Sequence, residues 1–239
     1  MKSRNIFMAG IGALAFSAAE AQTYTEQLSR GVVAVPMEKG YMVSWRFLAT
    51  DQKDAAFDVM RDGKTIARNL TGATCFVDKK GKASSRYSIR CSADGKVTEG
   101  MTWAQPYMSI PLRRPAGGVT PDGRTYTYSP NDCSAGDVDA DGDYEIILKW
   151  DPSNSHDNAH DGYTGNVLLD CYKISTDSLH NFRWRIDLGR NIRAGAHYTQ
   201  FLVYDFDGDG KAEIICKTAP GSKDGKGRYV TEAATDQSI

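Results

Sequence analysis

Two short runs of the chain crowd carboxylates in the same order. Asp137, Asp139, Asp141 and Glu145 lie in GDVDADGDYEIILK, and Asp205, Asp207, Asp209 and Glu213 lie in YDFDGDGKAEIICK. Both follow D-x-D-x-D-G-x-x-E, 68 residues apart from Asp137 to Asp205. Like charges this close repel, so a fold that holds them needs a positive partner. A hard divalent cation such as calcium takes six to eight oxygen ligands, mostly carboxylates and carbonyls. Side chains at the first, third and fifth places of a turning loop can converge on one ion, and a glycine (Gly142, Gly210) allows the sharp turn that follows. The ninth-place glutamate would close the site from the base of the next strand. An EF-hand is excluded, because its twelfth place is a glutamate and here that place holds Leu148 or Cys216. The plain alternative is a solvated acidic turn, which a second copy in register makes harder to sustain. Bracing of the fold is the expected role of such an ion, ahead of catalysis.

Other polar clusters follow the loops. KWDPSN carries Asp151 off the end of a strand toward one rim, and Asn131 and Asp132 stand just ahead of the first loop. SNSHDNAHDGYTG, from Ser153 to Gly165, is dense in groups that hydrogen-bond sugars or shell a metal. His156 and His160 have the i, i+4 spacing that chelates on a helix, but Gly162 and its neighbours are loop formers. In NIRAGAHYTQ, Ala194, Gly195 and Ala196 would admit a ligand close to the backbone. Arg193 could pair with a carboxylate in two-pronged fashion. His197 could hydrogen-bond a sugar or act as a base, and a purely structural histidine is the competing reading. No nucleophile elbow, phosphate loop or dinucleotide fingerprint occurs.

The elements that must position these groups read as strands. Tyr41–Phe47 and Ala56–Met60 alternate apolar with polar, and Asp62-Gly63 is a tight-hairpin signal. Thr74–Val77 and Tyr87–Cys91 are further strands. Short strands separated by polar turns over 30–112 point to a small sandwich of fibronectin-III type; periods near 3.6 are absent. Residues 113–131, RRPAGGVTPDGRTYTYSPN, read as a linker or long loop in which Tyr126 and Tyr128 dock. From 132 onward the repeated acidic loops, with strand-like Val167–Lys173 and Phe182–Asp187 between them, suggest propeller blades of four strands. Two blades cannot close a propeller of ~4–8 blades, so further blades are expected beyond Ile239. The fold class expected is all-β: residues 22–112 a sandwich, 132–239 a partial β-propeller.

Composition narrows the partners. The net charge is −1 with no basic block, so neither nucleic acid nor an acidic membrane surface is expected, and a monomer is. Residues 1–21 combine a basic start, an apolar run from Ile6 to Ala18 and the small-x-small Ala19-Glu20-Ala21, which reads as a cleavable signal peptide and places the mature protein outside the cytoplasm or in a periplasm. Five cysteines leave at least one thiol free. Cys75 with Cys91 is the most plausible disulfide, and buried small hydrophobes are the equal alternative.

SPNDCSAGDVDADGDYEIILKWDPSNSHDNAHDGYTG together with IDLGRNIRAGAHYTQFLVYDFDGDGKAEIICKTAPGSKDGKG closely resembles the front of rhamnogalacturonan lyases of polysaccharide lyase family 11. The likeness runs from Arg30 to about Gly227. It implies an N-terminal fibronectin-III-like β domain, then an eight-bladed propeller that binds several calcium ions. It also implies extracellular degradation of pectin: cleavage of rhamnogalacturonan I by β-elimination at galacturonate. That reaction needs the galacturonate carboxylate neutralised, a base for the C5 proton and stabilisation of the departing O4. In the family an active-site cleft at the propeller centre includes an Asn and an Asp matching Asn131 and Asp151, and the main catalytic residues are expected in later blades, beyond Ile239. The family's calcium loops match the eight acidic residues named above. Two other readings stay open: a non-catalytic, calcium-stabilised propeller that binds glycans or cell surfaces, and a glycoside hydrolase using a carboxylate pair such as Asp151 and Asp157.

Overall fold

The computed structural model describes residues 26–157, 159–195 and 199–231. The segment read as a signal peptide lies outside them. Among the described residues every regular element is a strand.

Eight short strands come first: β1 (Val33–Pro36), β2 (Tyr41–Ser44), β3 (Phe57–Arg61), β4 (Lys64–Leu70), β5 (Cys75–Asp78), β6 (Tyr87–Cys91), β7 (Val97–Glu99) and β8 (Met101–Thr102). They form two four-stranded sheets, ordered β5-β2-β1-β8 and β4-β3-β6-β7. Alternation along each strand sends one row inward: Tyr41 and Val43 from β2, Phe57 and Val59 from β3, Tyr87 and Ile89 from β6 are buried. These rows meet in one core with Ala34 and Trp45, which is the sandwich the alternation predicts. The Asp62-Gly63 turn has positive φ at both residues, 51° and 75°, the twist a two-residue hairpin needs. The expected Cys75–Cys91 disulfide is not formed: all five cysteines are free thiols. Cys75 is exposed on the edge strand β5 of one sheet, whereas Cys91 points into the core from β6 of the other. Uniform burial fails too, since Cys133 is exposed as well.

The Pro- and Gly-rich stretch carries a two-stranded hairpin, β9 (Gly118–Val119) with β10 (Thr125–Tyr126), and the start of the next sheet. That sheet is an antiparallel meander of β11 (Tyr128–Gly136), β12 (Glu145–Pro152), β13 (Leu168–Lys173) and β14 (Phe182–Asp187), in sequence order. This is one complete blade. One face packs Leu148, Trp150, Leu168 and Tyr172 around Tyr128. Beneath them the carboxylate of Asp170, 0% exposed, accepts the indole N–H of Trp150 at 2.7 Å and the hydroxyl of Tyr172 at 2.7 Å, and takes two hydrogen bonds from Arg185 at 2.6 and 2.7 Å. A buried charge survives only when its lone pairs are filled in this way. Residues 111–113 are strapped over the outer strands, with Asn181 donating to the Pro111 carbonyl and Arg185 to that of Arg113. β15 (Phe201–Tyr204) and β16 (Glu213–Cys216) open a second sheet beside β11.

The meander gives the blade two ends. The β11–β12 and β15–β16 hairpins put both acidic loops at one end, joined by the amide of Ala212 donating to the carbonyl of Asp137 at 2.7 Å. The β12–β13 loop, the start of β11 and the segment after β14 gather at the other. An eight-residue strand such as β12 sets the two ends roughly 25 Å apart, at ~3.3 Å per residue.

Candidate metal centres and polar rim

In the first loop Asp137 is the keystone. It is fully buried, and its two carboxylate oxygens accept the amides of Asp141 at 3.1 Å and Gly142 at 2.9 Å. Those bonds curl the chain so that Asp139 returns beside it. Glu145, the first residue of β12, is also 0% exposed. One of its oxygens accepts the Val138 amide at 3.2 Å; the other, Oε1, is buried with no hydrogen-bond partner. Burial, then the charges of Asp139 and Asp141, push its carboxyl up to about 7. One oxygen each from Asp137, Asp139 and Glu145 lie within 4.8 Å of one another, the spread expected of oxygens around one cation at roughly 2.4 Å from each. An orphaned, buried carboxylate oxygen facing two more carboxylates is costly alone and fits a metal ion.

The second loop repeats the design and adds one bond to the keystone. Asp205 accepts the amides of Gly208 at 2.7 Å, Asp209 at 3.1 Å and Gly210 at 3.0 Å, and Glu213 accepts that of Phe206 at 2.9 Å. Asp205, Asp207 and Glu213 again place oxygens within 4.8 Å of one another. Gly142 and Gly210 have φ of 91° and 90°, a conformation that suits glycine.

Of the eight predicted ligands, the two fifth-place aspartates stand apart from these clusters. Asp141 accepts the amide of Asp143 at 3.0 Å and pairs with Lys173, whose ammonium holds its carboxyl below the usual range. Asp209 caps the amide of Lys211 at 2.8 Å. Both act as turn formers here. The sequence reading missed the cations that flank the first cluster, Lys173 and Arg183, the latter 2.8 Å from Asp139. They arrive from β13 and β14, far along the chain, and no local pattern announces them.

The first loop is also tied to the sandwich. The amide of Ser29 donates to the Gly142 carbonyl at 2.7 Å, the Ser29 hydroxyl to Asp143 at 2.7 Å, and the Asp137 amide to Glu26 at 3.2 Å. The Arg46 guanidinium lies 4.8 Å over the Tyr144 ring. In the second loop Lys211 and Ala212 stand where Asp143 and Tyr144 stand in the first.

Toward the opposite rim, Asn131 and Asp132 form a bulge midway along β11, where the pairing with β12 shifts register between Pro130 and Cys133. Asn131 is exposed. Asp151 still lies within β12, opposite Ser129, and accepts the Ser155 hydroxyl at 2.9 Å; the strand runs to Pro152, two residues further than the Trp-Asp-Pro pattern suggests. Arg193 clasps the β12–β13 loop, donating to the Gly162 carbonyl at 2.8 Å and to that of His160, and thereby shapes this loop. Its NH1 also stands 3.4 Å from His156 Nε2, while His156 Nδ1 is 2.9 Å from the Asn154 carbonyl. A neutral ring with its proton on Nδ1 satisfies both contacts. His156 and His160 join no metal-type cluster among the described residues. His197 lies outside the described residues.

A two-sheet sandwich ahead of a four-stranded blade, with carboxylate clusters that could hold a metal ion in the β11–β12 and β15–β16 hairpins, defines an all-β protein of sandwich-and-blade type. Its residues 107–238 match the family "Rhamnogalacturonan lyase family 11, C-terminal domain", and residues 23–107 match "Rhamnogalacturonan I lyases beta-sheet domain". The chain belongs to rhamnogalacturonan lyase family 11. It is 55% identical over 215 residues to the rhamnogalacturonan endolyase YesW of Bacillus subtilis, a match that takes in 88% of this chain and 34% of that protein. It is 55% identical over 216 residues to the exolyase YesX of the same organism, covering 88% and 35%. The crystal structure of exotype rhamnogalacturonan lyase YesX superposes with a TM-score of 0.80 at 54% identity, covering 89% of this chain and 35% of that one. The chain thus spans about a third of the length of these relatives.

Proposed function

We propose that the protein acts in pectin degradation as a secreted, calcium-dependent lyase that cleaves rhamnogalacturonan I by β-elimination at galacturonate. The observation that carries this reading is the family membership of both halves of the chain, alongside relatives that are rhamnogalacturonan lyases. The apolar leader with its small-x-small site supports secretion. Calcium is the cation that best suits clusters made only of oxygen donors at the spacing seen here. Asp137, Asp139 and Glu145 would hold one ion and Asp205, Asp207 and Glu213 another. Both lie at the end of the blade away from the polar rim, so their contribution is charge neutralisation that fixes the hairpins.

The rim is the surface offered to substrate. Asn131 presents an amide that can both donate to and accept from sugar groups, and Asp151, oriented by Ser155, presents an acceptor. Arg193 and His156 set the shape of the loop that borders them. The base and the remaining groups of the elimination fall to later blades of the complete protein.

The test is incubation of the complete gene product with rhamnogalacturonan I, following the ultraviolet absorbance of the unsaturated uronate. A rise that a chelator abolishes is expected. New reducing ends without that absorbance would indicate a hydrolase, and polymer binding without cleavage would indicate the adhesion-type propeller; either contradicts the proposal.

A further inference from the structure

Lys149 sits one step inside the polar rim and is used by nothing described so far. Its side chain is 2% exposed. It shares a face of the blade with Ile147 two residues before it and with Leu169, its register partner on β13, both 0% exposed. A lysine stem buried among apolar groups is ordinary; an ammonium buried with it is not, because long cationic side chains usually carry the charge out to water. The Lys149 ammonium instead donates to Asp132 at 2.6 Å, and it is the aspartate that reaches the surface, its side chain 59% exposed.

Asp132 belongs with Asn131 to the bulge midway along β11, and neither has a register partner on β12. A bulge re-aims side chains and leaves the ladder locally unpaired, so some other contact must fix where they sit. In the second repeat Lys217 occupies the place of Lys149 and Gln200 that of Asp132, so the lysine recurs without its aspartate.

We infer that Lys149 is a positioning residue: its ammonium tethers Asp132 and thereby holds the bulge that presents Asn131, beside Asp151, to an acidic sugar at the rim. The charge has the right sign for that ligand. Two aspartates at the rim would repel a uronate carboxylate, and a fixed, poorly screened cation just beneath them offsets that repulsion. This rests on the uronate-binding role proposed above.

The test uses two variants of the complete protein. Lys149→Met keeps the buried stem and removes the charge; Asp132→Asn removes the anion from the exposed partner without touching the interior. Hydrogen exchange is followed separately over 129–134 and over the acidic loop 137–145, and binding of a rhamnogalacturonan oligosaccharide is titrated. Each variant is expected to speed exchange in the bulge about tenfold, to leave the acidic loop unchanged and to weaken oligosaccharide binding by about tenfold, with the double variant no worse than either single one. Unchanged bulge exchange in Asp132→Asn would overturn the tether, as would a uniform rise across the blade. Should Lys149→Met fail to fold, Asp132→Asn decides alone. If bulge exchange responds as expected but the unmutated protein does not bind the oligosaccharide, the tether stands and the uronate ligand falls together with the proposed function.

Discussion

The two acidic loops share a sequence pattern, a hydrogen-bond scheme and a carboxylate geometry, yet they are built into different surroundings. In the first, Asp137 and Glu145 are fully buried, and Glu26, Ser29 and Arg46 of the sandwich close over the hairpin. In the second, Glu213 is half-buried and an alanine and a lysine stand where the first loop meets the sandwich. The comparison separates what the motif requires from what its setting adds. The keystone aspartate, the returning glutamate and the glycine turn recur; among the described residues the coupling to the sandwich belongs to the first loop. Disturbing loop one should therefore be felt through the whole chain, and disturbing loop two mainly within its own hairpin.

The largest contrast is expected at the keystones. Asp137→Ala strands the amide of Gly142 in a buried site and that of Asp141 in a half-buried one and should cost about 3 kcal/mol, whereas the partly solvated donors around Asp205 can turn to water, so that Asp205→Ala costs about 1 kcal/mol. For a chain of this size the thermal midpoints should fall by roughly 6–12 °C and 2–4 °C. Equal losses would mean that the sandwich contributes nothing to loop one.

A pH dependence comes next. In metal-free protein the Glu145 carboxyl sits at about 7, above its ordinary 4.5. A folded state that holds this proton more tightly is favoured below the unfolded value, and that advantage is lost as pH rises through about 7. Chelated protein should therefore lose thermal stability between about pH 4.5 and 7, and Glu145→Gln should flatten that slope. Glu213→Gln should leave it in place. A slope that survives Glu145→Gln assigns the effect elsewhere.

Smaller effects sharpen the contrast. A Cβ on Gly142 would come within 3.2 Å of the Ser29 amide, while one on Gly210 meets nothing within 4 Å. Both positions carry positive φ, so Gly142→Ala should cost about 2 kcal/mol and Gly210→Ala about 1 kcal/mol by denaturant titration. Ala140 has φ of 60° where the second loop has Gly208. Ala140→Gly relieves left-handed strain at some cost in chain entropy and should stabilise by at most about 0.5 kcal/mol.

Much of this was legible in the residues. Alternation gave the sandwich strands because burial on one face leaves a period-two signature, and the repeat exposed the blades because each hairpin carries its own loop. The loops' first, third and ninth-place acids converge as spacing alone suggests, since those contacts are local. What escaped is non-local. Asp141 turns to Lys173, which the meander brings across from β13; Lys149 meets Asp132 through a bulge that no spacing rule marks; and Cys75 and Cys91, adjacent strands by sequence, sit in different sheets. Arg193 looked free for a carboxylate because the loop that occupies it lies some thirty residues earlier.

The most direct measurement is a calorimetric titration of chelator-treated protein with calcium, repeated on the Glu145→Gln and Glu213→Gln variants. Saturable binding that loses one component in each variant, together with a calcium-dependent rise in melting temperature that Glu145→Gln diminishes more than Glu213→Gln, is the expected result. Absence of binding heat, with melting unchanged by calcium in all three proteins, would contradict the assignment of both carboxylate clusters as cation sites.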